Sequence, residues 1–157
     1  MNLDFAFSIS TIFGSLDIRQ RSRLQSLVTV RRFDAGTTIL RQGSSAVALY
    51  LILDGQVEVT REPADGGAPI SLVTLKAGDV FGEMALLDDD TRSSSVTALD
   101  ETHCALLPRW ELIQELRRQP DLALELLRTL ARRIRALDEQ VSVLKSREAL
   151  LIADSFQ

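Results

Sequence analysis

Between Val30 and Leu107 the apolar runs are short. Short stretches rich in β-branched and apolar side chains, at Thr37–Leu40, Ala48–Leu53, Gln56–Thr60, Ile70–Leu75, Ser95–Ala98 and His103–Leu107, alternate with glycine turns. The turns are Asp34-Ala35-Gly36, Gln42-Gly43-Ser44, Asp54-Gly55 and Ala77-Gly78-Asp79. Several short strands at near-regular spacing with glycine between them predict a sandwich or barrel. Asp54-Gly55, set between two apolar runs, predicts a hairpin. Glu62–Pro69, with Pro63, Asp65, Gly66 and Gly67, reads as a surface loop.

The flanks have a different period. Phe5, Phe7, Ile9, Ile12, Phe13 and Leu16, then Ile18, Leu24, Leu27 and Val28, predict two short helices in residues 1–29. After Pro108 the spacing is helical again. Arg109–Arg118 forms one predicted helix, and Pro120 separates it from a second because proline disfavours helix in the residue before it. That second helix is expected from Asp121 to roughly Leu151, about 45 Å at 1.5 Å per residue. Leu127, Leu130, Ile134, Leu137, Val141 and Leu144 follow at heptad spacing, with Leu151 continuing the seam and Glu148 breaking it. β-Branched residues mostly at a and leucine at d favour a parallel pair, so a homodimer through 127–151 is expected. In that register Arg133 at g faces Asp138 at e of a partner helix. The predicted whole is one domain, 1–157: N-terminal helices 1–29, a β-roll over 30–107 and C-terminal helices 109–151. The fold class is α+β, an antiparallel β-roll (double-stranded β-helix or jelly roll) with a long C-terminal helix.

Composition narrows the function. The 157 residues are 45% hydrophobic and 25% charged, enough for a core and against disorder. A net charge of −4 provides no global positive field for nucleic acid or an anionic membrane. The arginines at 117, 118, 128, 132, 133 and 135 read as a solvated helix face. Cys104 is the single cysteine, which excludes an intramolecular disulfide and a cysteine-based zinc site. His103 beside it lacks a third group to orient a nucleophile pair, so no enzyme is expected. MNLDFAFSIS has no basic start, and no run reaches the roughly 18 apolar residues a membrane span needs. The expected location is the cytoplasm, with no membrane partner.

Phe81–Val96 carries the chemistry: Phe81-Gly82-Glu83-Met84-Ala85-Leu86-Leu87, Asp88-Asp89-Asp90-Thr91, then Arg92-Ser93-Ser94-Ser95-Val96. A calcium loop needs glycine after its third carboxylate position and glutamate at its twelfth. Here Arg92 interrupts the acidic run and Leu99 stands at the twelfth position, so no metal is expected. A guanidinium and backbone N–H groups at a helix start instead suit a phosphate. The amides of Gly82, Glu83, Met84 and Ala85, opening a short cassette helix, would point at that anion, with Arg92 neutralising it and Ser93 adding a hydroxyl. The Glu83 carboxylate would then take a sugar hydroxyl. A sugar phosphate fits both.

With these residues in place, the chain closely resembles the cyclic nucleotide-binding domain family, of the catabolite activator and protein kinase regulatory-subunit type. The family's phosphate-binding cassette pattern, F-G-E-hydrophobic-A-L-L, a short loop and R-[AST]-A-[ST]-V, matches 81–96. Gly36, Gly43, Gly55 and Gly78 stand where the family places its β-roll glycines. The resemblance implies that Gly82, Met84, Ala85, Arg92 and Ser93 bind the cyclic phosphate and Glu83 the ribose 2′-hydroxyl. It implies an apolar wall of Val73, Leu75, Leu53 and Phe81, with Arg133, Leu137 and Asp138 over the base. Thr91 stands where many members have proline. Cyclic AMP is the first expectation. Ser93, where some members carry a threonine that favours cyclic GMP, and Asp138, an acceptor for guanine, keep cyclic GMP open. Asp138 is read first as the interhelical partner of Arg133.

The expected function is therefore a stand-alone cyclic nucleotide sensor signalling in trans through its C-terminal helix to an unknown effector protein. The alternative is a scaffold or dimerisation module with a weak or unoccupied pocket. Because no second helix pair follows the long helix, no DNA-binding domain is expected.

Overall fold

A computed structural model of the chain describes residues 2–83 and 91–156. Two helices, α1 (Leu3–Ile9) and α2 (Ile18–Gln25), precede strands β1 (Thr29–Phe33), β2 (Thr38–Leu40), β3 (Ala48–Asp54), β4 (Gln56–Arg61), β5 (Ile70–Lys76), β6 (Val80–Phe81), β7 (Ser95–Ala98) and β8 (Thr102–Pro108). Helices α3 (Arg109–Arg118) and α4 (Pro120–Ser155) follow. The strands make two four-stranded sheets, ordered β1-β8-β3-β6 and β2-β7-β4-β5, with every pairing antiparallel. This is the α+β jelly roll that the glycine-punctuated strands imply. The predicted cassette helix and Met84, Ala85 and Asp88–Asp90 lie outside the described residues.

β3 organises the core because both of its faces are covered. Ala48, Tyr50 and Ile52 point between the sheets, where they meet Leu40, Val57, Phe81, Val96, Cys104 and Leu106. Leu49, Leu51 and Leu53 point to the other side, against Phe7, Phe13, Leu24, Leu112, Leu122 and Leu126 of the helices. The period-two alternation of a strand sorts the six residues onto two cores. A near-continuous apolar run is what a strand buried on both faces requires. α2 is started by a reciprocal cap: Asp17 Oδ1 accepts from the Gln20 amide at 2.8 Å, and the Asp17 amide donates to Gln20 Oε1 at 3.1 Å.

Three local expectations change. Asp54-Gly55 is not a hairpin, because β3 pairs with β6 and β8 while β4 pairs with β5 and β7. It is a corner that passes the chain from one sheet to the other. Gly55 has φ +92°, and a Cβ there would lie 2.5 Å from Thr102 Oγ1 and 2.6 Å from the Glu101 carbonyl oxygen. Second, Thr29–Phe33 is a strand that the apolar pattern hides: it is a sheet edge with Arg31 and Arg32 inside it, largely exposed. Third, α4 runs 36 residues, about 54 Å, beyond the expected end. It packs at home through Leu122, Leu126 and Thr129, one helical face. The heptad residues Leu127, Ile134, Leu137, Val141, Leu144 and Leu151 are exposed on the chain. Among the described residues, no helix is long and apolar enough to cross a membrane.

Along β8, His103 and Cys104 face opposite ways. His103 Nδ1 lies 2.7 Å from Asp54 Oδ1 on the outside, while Cys104 is fully buried between the sheets. Burial, aided by the Asp54 charge, pushes the Cys104 thiol up to about 12. The native protein is therefore expected to resist a thiol-specific disulfide reagent at pH 8 and to react stoichiometrically once unfolded, as followed by thiolate release. Gly55→Ala combines left-handed backbone strain with backbone overlap and is expected to destabilise by about 2–5 kcal/mol in urea unfolding.

Candidate functional site

The site lies at the edge of the second sheet, where β6 ends. Leu40, Val59, Val73, Leu75, Val80, Phe81, Gly82, Glu83, Arg92, Ser93, Ser94, Val96 and Arg133 line one cleft of about 210 Å³. Val59 faces Val73 across the β4–β5 ladder, and Val57 faces Leu75. Alternation thus carries one apolar wall from the interior out to the cleft. Phe81 stacks on Tyr50 at 4.9 Å between ring centroids, with 11° between planes, and so closes the floor.

Arg92 is the most constrained member. Only 4% exposed, it donates from Nη1 to the Gly82 carbonyl and from Nη2 to the Ala48 carbonyl at 2.7 Å. Its Nε is buried and has no hydrogen-bond partner among the described residues. No described carboxylate forms an ion pair with it. Burial lowers the guanidinium's proton affinity, opposed by Tyr50 and by the Glu83 charge; it stays a cation. Burial likewise raises the Tyr50 phenol. Backbone bonds hold the segment that carries Arg92. The Arg92 amide donates to the Ser44 carbonyl and the Gly43 amide to the Arg92 carbonyl, both at 2.8 Å, and the Gln42 amide donates to Ser95 Oγ at 2.9 Å.

Gly82 is glycine for a reason that these contacts make concrete. Its φ is +81°, and a Cβ there would stand 2.5 Å from Arg92 Nη1. Any side chain would push the guanidinium out of its seat. Glu83 follows at once, and its Oε1 accepts from Arg133 Nη2 of α4 at 3.3 Å. The cleft is therefore lined by a buried cation and by a carboxylate, the latter held by the long helix. A charge-assisted anion site and a hydroxyl acceptor sit side by side.

Of the residues singled out from sequence, Gly82, Glu83, Arg92, Ser93, Phe81, Val73, Leu75 and Arg133 come together here. Leu53 does not: odd-numbered residues of β3 face the helices, so its side chain packs in the helical core. Leu137 and Asp138 lie farther along α4 and do not line the cleft. Asp138 borders a shallow surface groove with Val141, Ser142 and Lys145. Met84 and Ala85 are outside the described residues. Sequence reasoning missed Leu40, Val59, Val80, Ser94 and Val96. Val59 was legible as the outward continuation of Val57 along β4. Leu40 and Val80 were not, since only the sheet order brings them in. Among the described residues, no group of three or more histidine, cysteine, aspartate or glutamate side chains is placed to hold a metal.

Comparison with known proteins now bears on this geometry. Residues 30–119 match the model of the cyclic nucleotide-binding domain. The chain is 38% identical over 140 residues to the cyclic AMP receptor protein of Thermus thermophilus, covering 89% of this chain and 64% of that protein. It is 31% identical over 110 residues to a CRP-like cAMP-activated global transcriptional regulator of Mycobacterium tuberculosis, 70% of this chain and 49% of that one. Among solved structures it superimposes on the N-terminal domain of a transcriptional regulator from Streptomyces coelicolor A3(2) with a TM-score of 0.75 at 28% identity, covering 85% of this chain and 95% of the other.

The chain thus spans 64% and 49% of the length of these two curated relatives. That corrects the expected partner set, an effector in trans and no DNA-binding domain. The Mycobacterium and Streptomyces proteins are named as regulators of transcription, and the two curated relatives extend well beyond the matched region, so the missing helix pair in these residues is no argument against a DNA-binding partner. A cleft lined by Gly82, Glu83, Arg92 and Ser93, on a jelly roll matched over 30–119, identifies the chain as a member of the cyclic nucleotide-binding domain family.

Proposed function

We propose that the cleft binds a cyclic nucleotide, cyclic AMP in the first place and cyclic GMP as the competitor, and that α4 carries the state of the cleft out of the β-roll. The observation that carries this reading is the buried Arg92 guanidinium. It bonds to two carbonyls, keeps an unpartnered Nε and has no counter-carboxylate among the described residues. A buried cation without an anion is costly. A cyclic phosphate supplies the missing charge, with the Ser93 hydroxyl and the amides of Gly82, Met84 and Ala85 as further donors.

Glu83 then accepts from the ribose 2′-hydroxyl. Arg133, already on that carboxylate, shares it with the ligand and links ribose binding to the position of α4. The base lies along Val73 and Leu75, which line the cleft. The name of the Thermus relative supports cyclic AMP. Ligand shifts the helix only by its differential affinity for the two positions. An unoccupied scaffold is the weaker reading, because it leaves Arg92 with no use for its burial.

Calorimetric titration of nucleotide-free protein tests this directly. Cyclic AMP should bind wild type, and Arg92→Ala should weaken it by about 2–5 kcal/mol, roughly 30- to 5,000-fold. No heat with either cyclic nucleotide would reject the proposal. The role of Glu83 has its own test. Wild type should prefer cyclic AMP over 2′-deoxy cyclic AMP by roughly 10- to 150-fold, the worth of a charge-assisted hydrogen bond. Glu83→Gln should shrink that preference, and an unchanged ratio would show that the hydroxyl goes elsewhere.

A further inference from the structure

A second charged cluster, remote from the cleft, occupies the joint between α3 and α4. The Glu115 side chain, on α3, is only 3% exposed. Its Oε1 accepts from Arg23 Nε of α2 at 3.1 Å and from Gln119 Nε2 at 2.5 Å. Gln119 is the one residue between the two helices, with φ −125° and ψ 84°. Its amide donates to the Glu115 carbonyl at 2.9 Å, and its own carbonyl accepts from Leu122 at 3.0 Å and Ala123 at 3.3 Å. One carboxylate therefore ties together α2, the end of α3 and the first turn of α4.

Stability alone does not account for this arrangement, since well-packed apolar residues usually serve as well as a buried ion pair. What hydrogen bonds add is direction. α4 leaves Gln119 as a lever. Arg133 is fourteen residues on, about 21 Å along the axis at 1.5 Å per residue. A rotation of about 10° at the joint moves the far end of that lever by about 4 Å. That is far more than the few tenths of an ångström that the 3.3 Å contact between Arg133 and Glu83 tolerates. The angle at the joint therefore decides whether the helix reaches the cleft.

We propose that Glu115 is a positioning residue for ligand binding. With Arg23 and Gln119 it clamps α4 in the orientation that sets Arg133 against Glu83. The proposal rests on the nucleotide reading above and adds to it a determinant of affinity that touches no ligand. When the clamp opens, the closed orientation becomes a smaller fraction of the ensemble, and apparent affinity falls by that fraction.

Arg23→Gln tests it, because Arg23 is half-exposed and lies away from the cleft; Gln119→Ala removes the other donor as a second, independent variant. Each should weaken cyclic AMP binding about 3- to 10-fold in calorimetry. In an Arg133→Ala background the same change should alter affinity by less than about 1.5-fold, because the clamp acts through that side chain. Equal weakening in both backgrounds, or unaltered affinity in wild type, overturns the proposal. Hydrogen exchange at the Leu122 and Ala123 amides should accelerate about 3- to 10-fold in both variants without ligand. Unchanged exchange there overturns the clamp even if wild type takes up neither nucleotide. The latter result would by itself remove the nucleotide reading and leave the clamp to be judged on exchange alone.

Discussion

The Arg92 guanidinium is seated between the end of β6 and the start of β3, bonded to the carbonyls of Gly82 and Ala48. Much of the surrounding structure follows from keeping a cation in that position. It must be approached by backbone, which makes Gly82 a glycine with positive φ. Its own segment must be immobilised, which the backbone pairing with Gly43 and Ser44 achieves. No described carboxylate neutralises it, so the charge stays available to an anion entering the cleft. Glu83, the carboxylate that lines the cleft among the described residues, is paired with Arg133.

The fold couples this seat to the helices through β3. Its even-numbered residues pack between the sheets with Phe81, and its odd-numbered residues pack against α1, α3 and α4. One strand thus forms both the back of the cleft's core and the floor on which the C-terminal helices rest. Close-packed interiors transmit small displacements rather than absorbing them. Two polar contacts sit at either end of the first half of α4: Glu115 with Gln119 at its root and Glu83 with Arg133 farther out. Between them, Leu122, Leu126 and Thr129 provide the apolar bearing surface.

Much of the site was readable because its polar members are close in sequence. Glycine, glutamate, arginine and serine within one short stretch state a chemical need without reference to the rest of the chain. The apolar wall was less readable. Val73 and Leu75 were correctly placed on one face by alternation, but alternation alone does not say which of two faces is the cleft. Leu53 shows the consequence, since its face of β3 belongs to the helices. Leu137 and Asp138 carry the same lesson for a helix, where a periodic stripe is legible and its neighbours are not.

What the sequence determined by itself is local: short strands between glycine turns, a helix break at Pro120, a heptad stripe, and the residue types of an anion site. These depend on backbone sterics and on side-chain periods of two and 3.6, which neighbouring residues set. Only the tertiary structure decided that Asp54-Gly55 is a corner between sheets, that Arg92 bonds to Ala48, that Arg133 meets Glu83 and that Glu115 meets Arg23. Each of the last three joins residues at least 44 positions apart. Contacts over such separations are set by which faces the sheets and helices bury against one another, and the burial is shared among many residues at once. No short stretch contains that information.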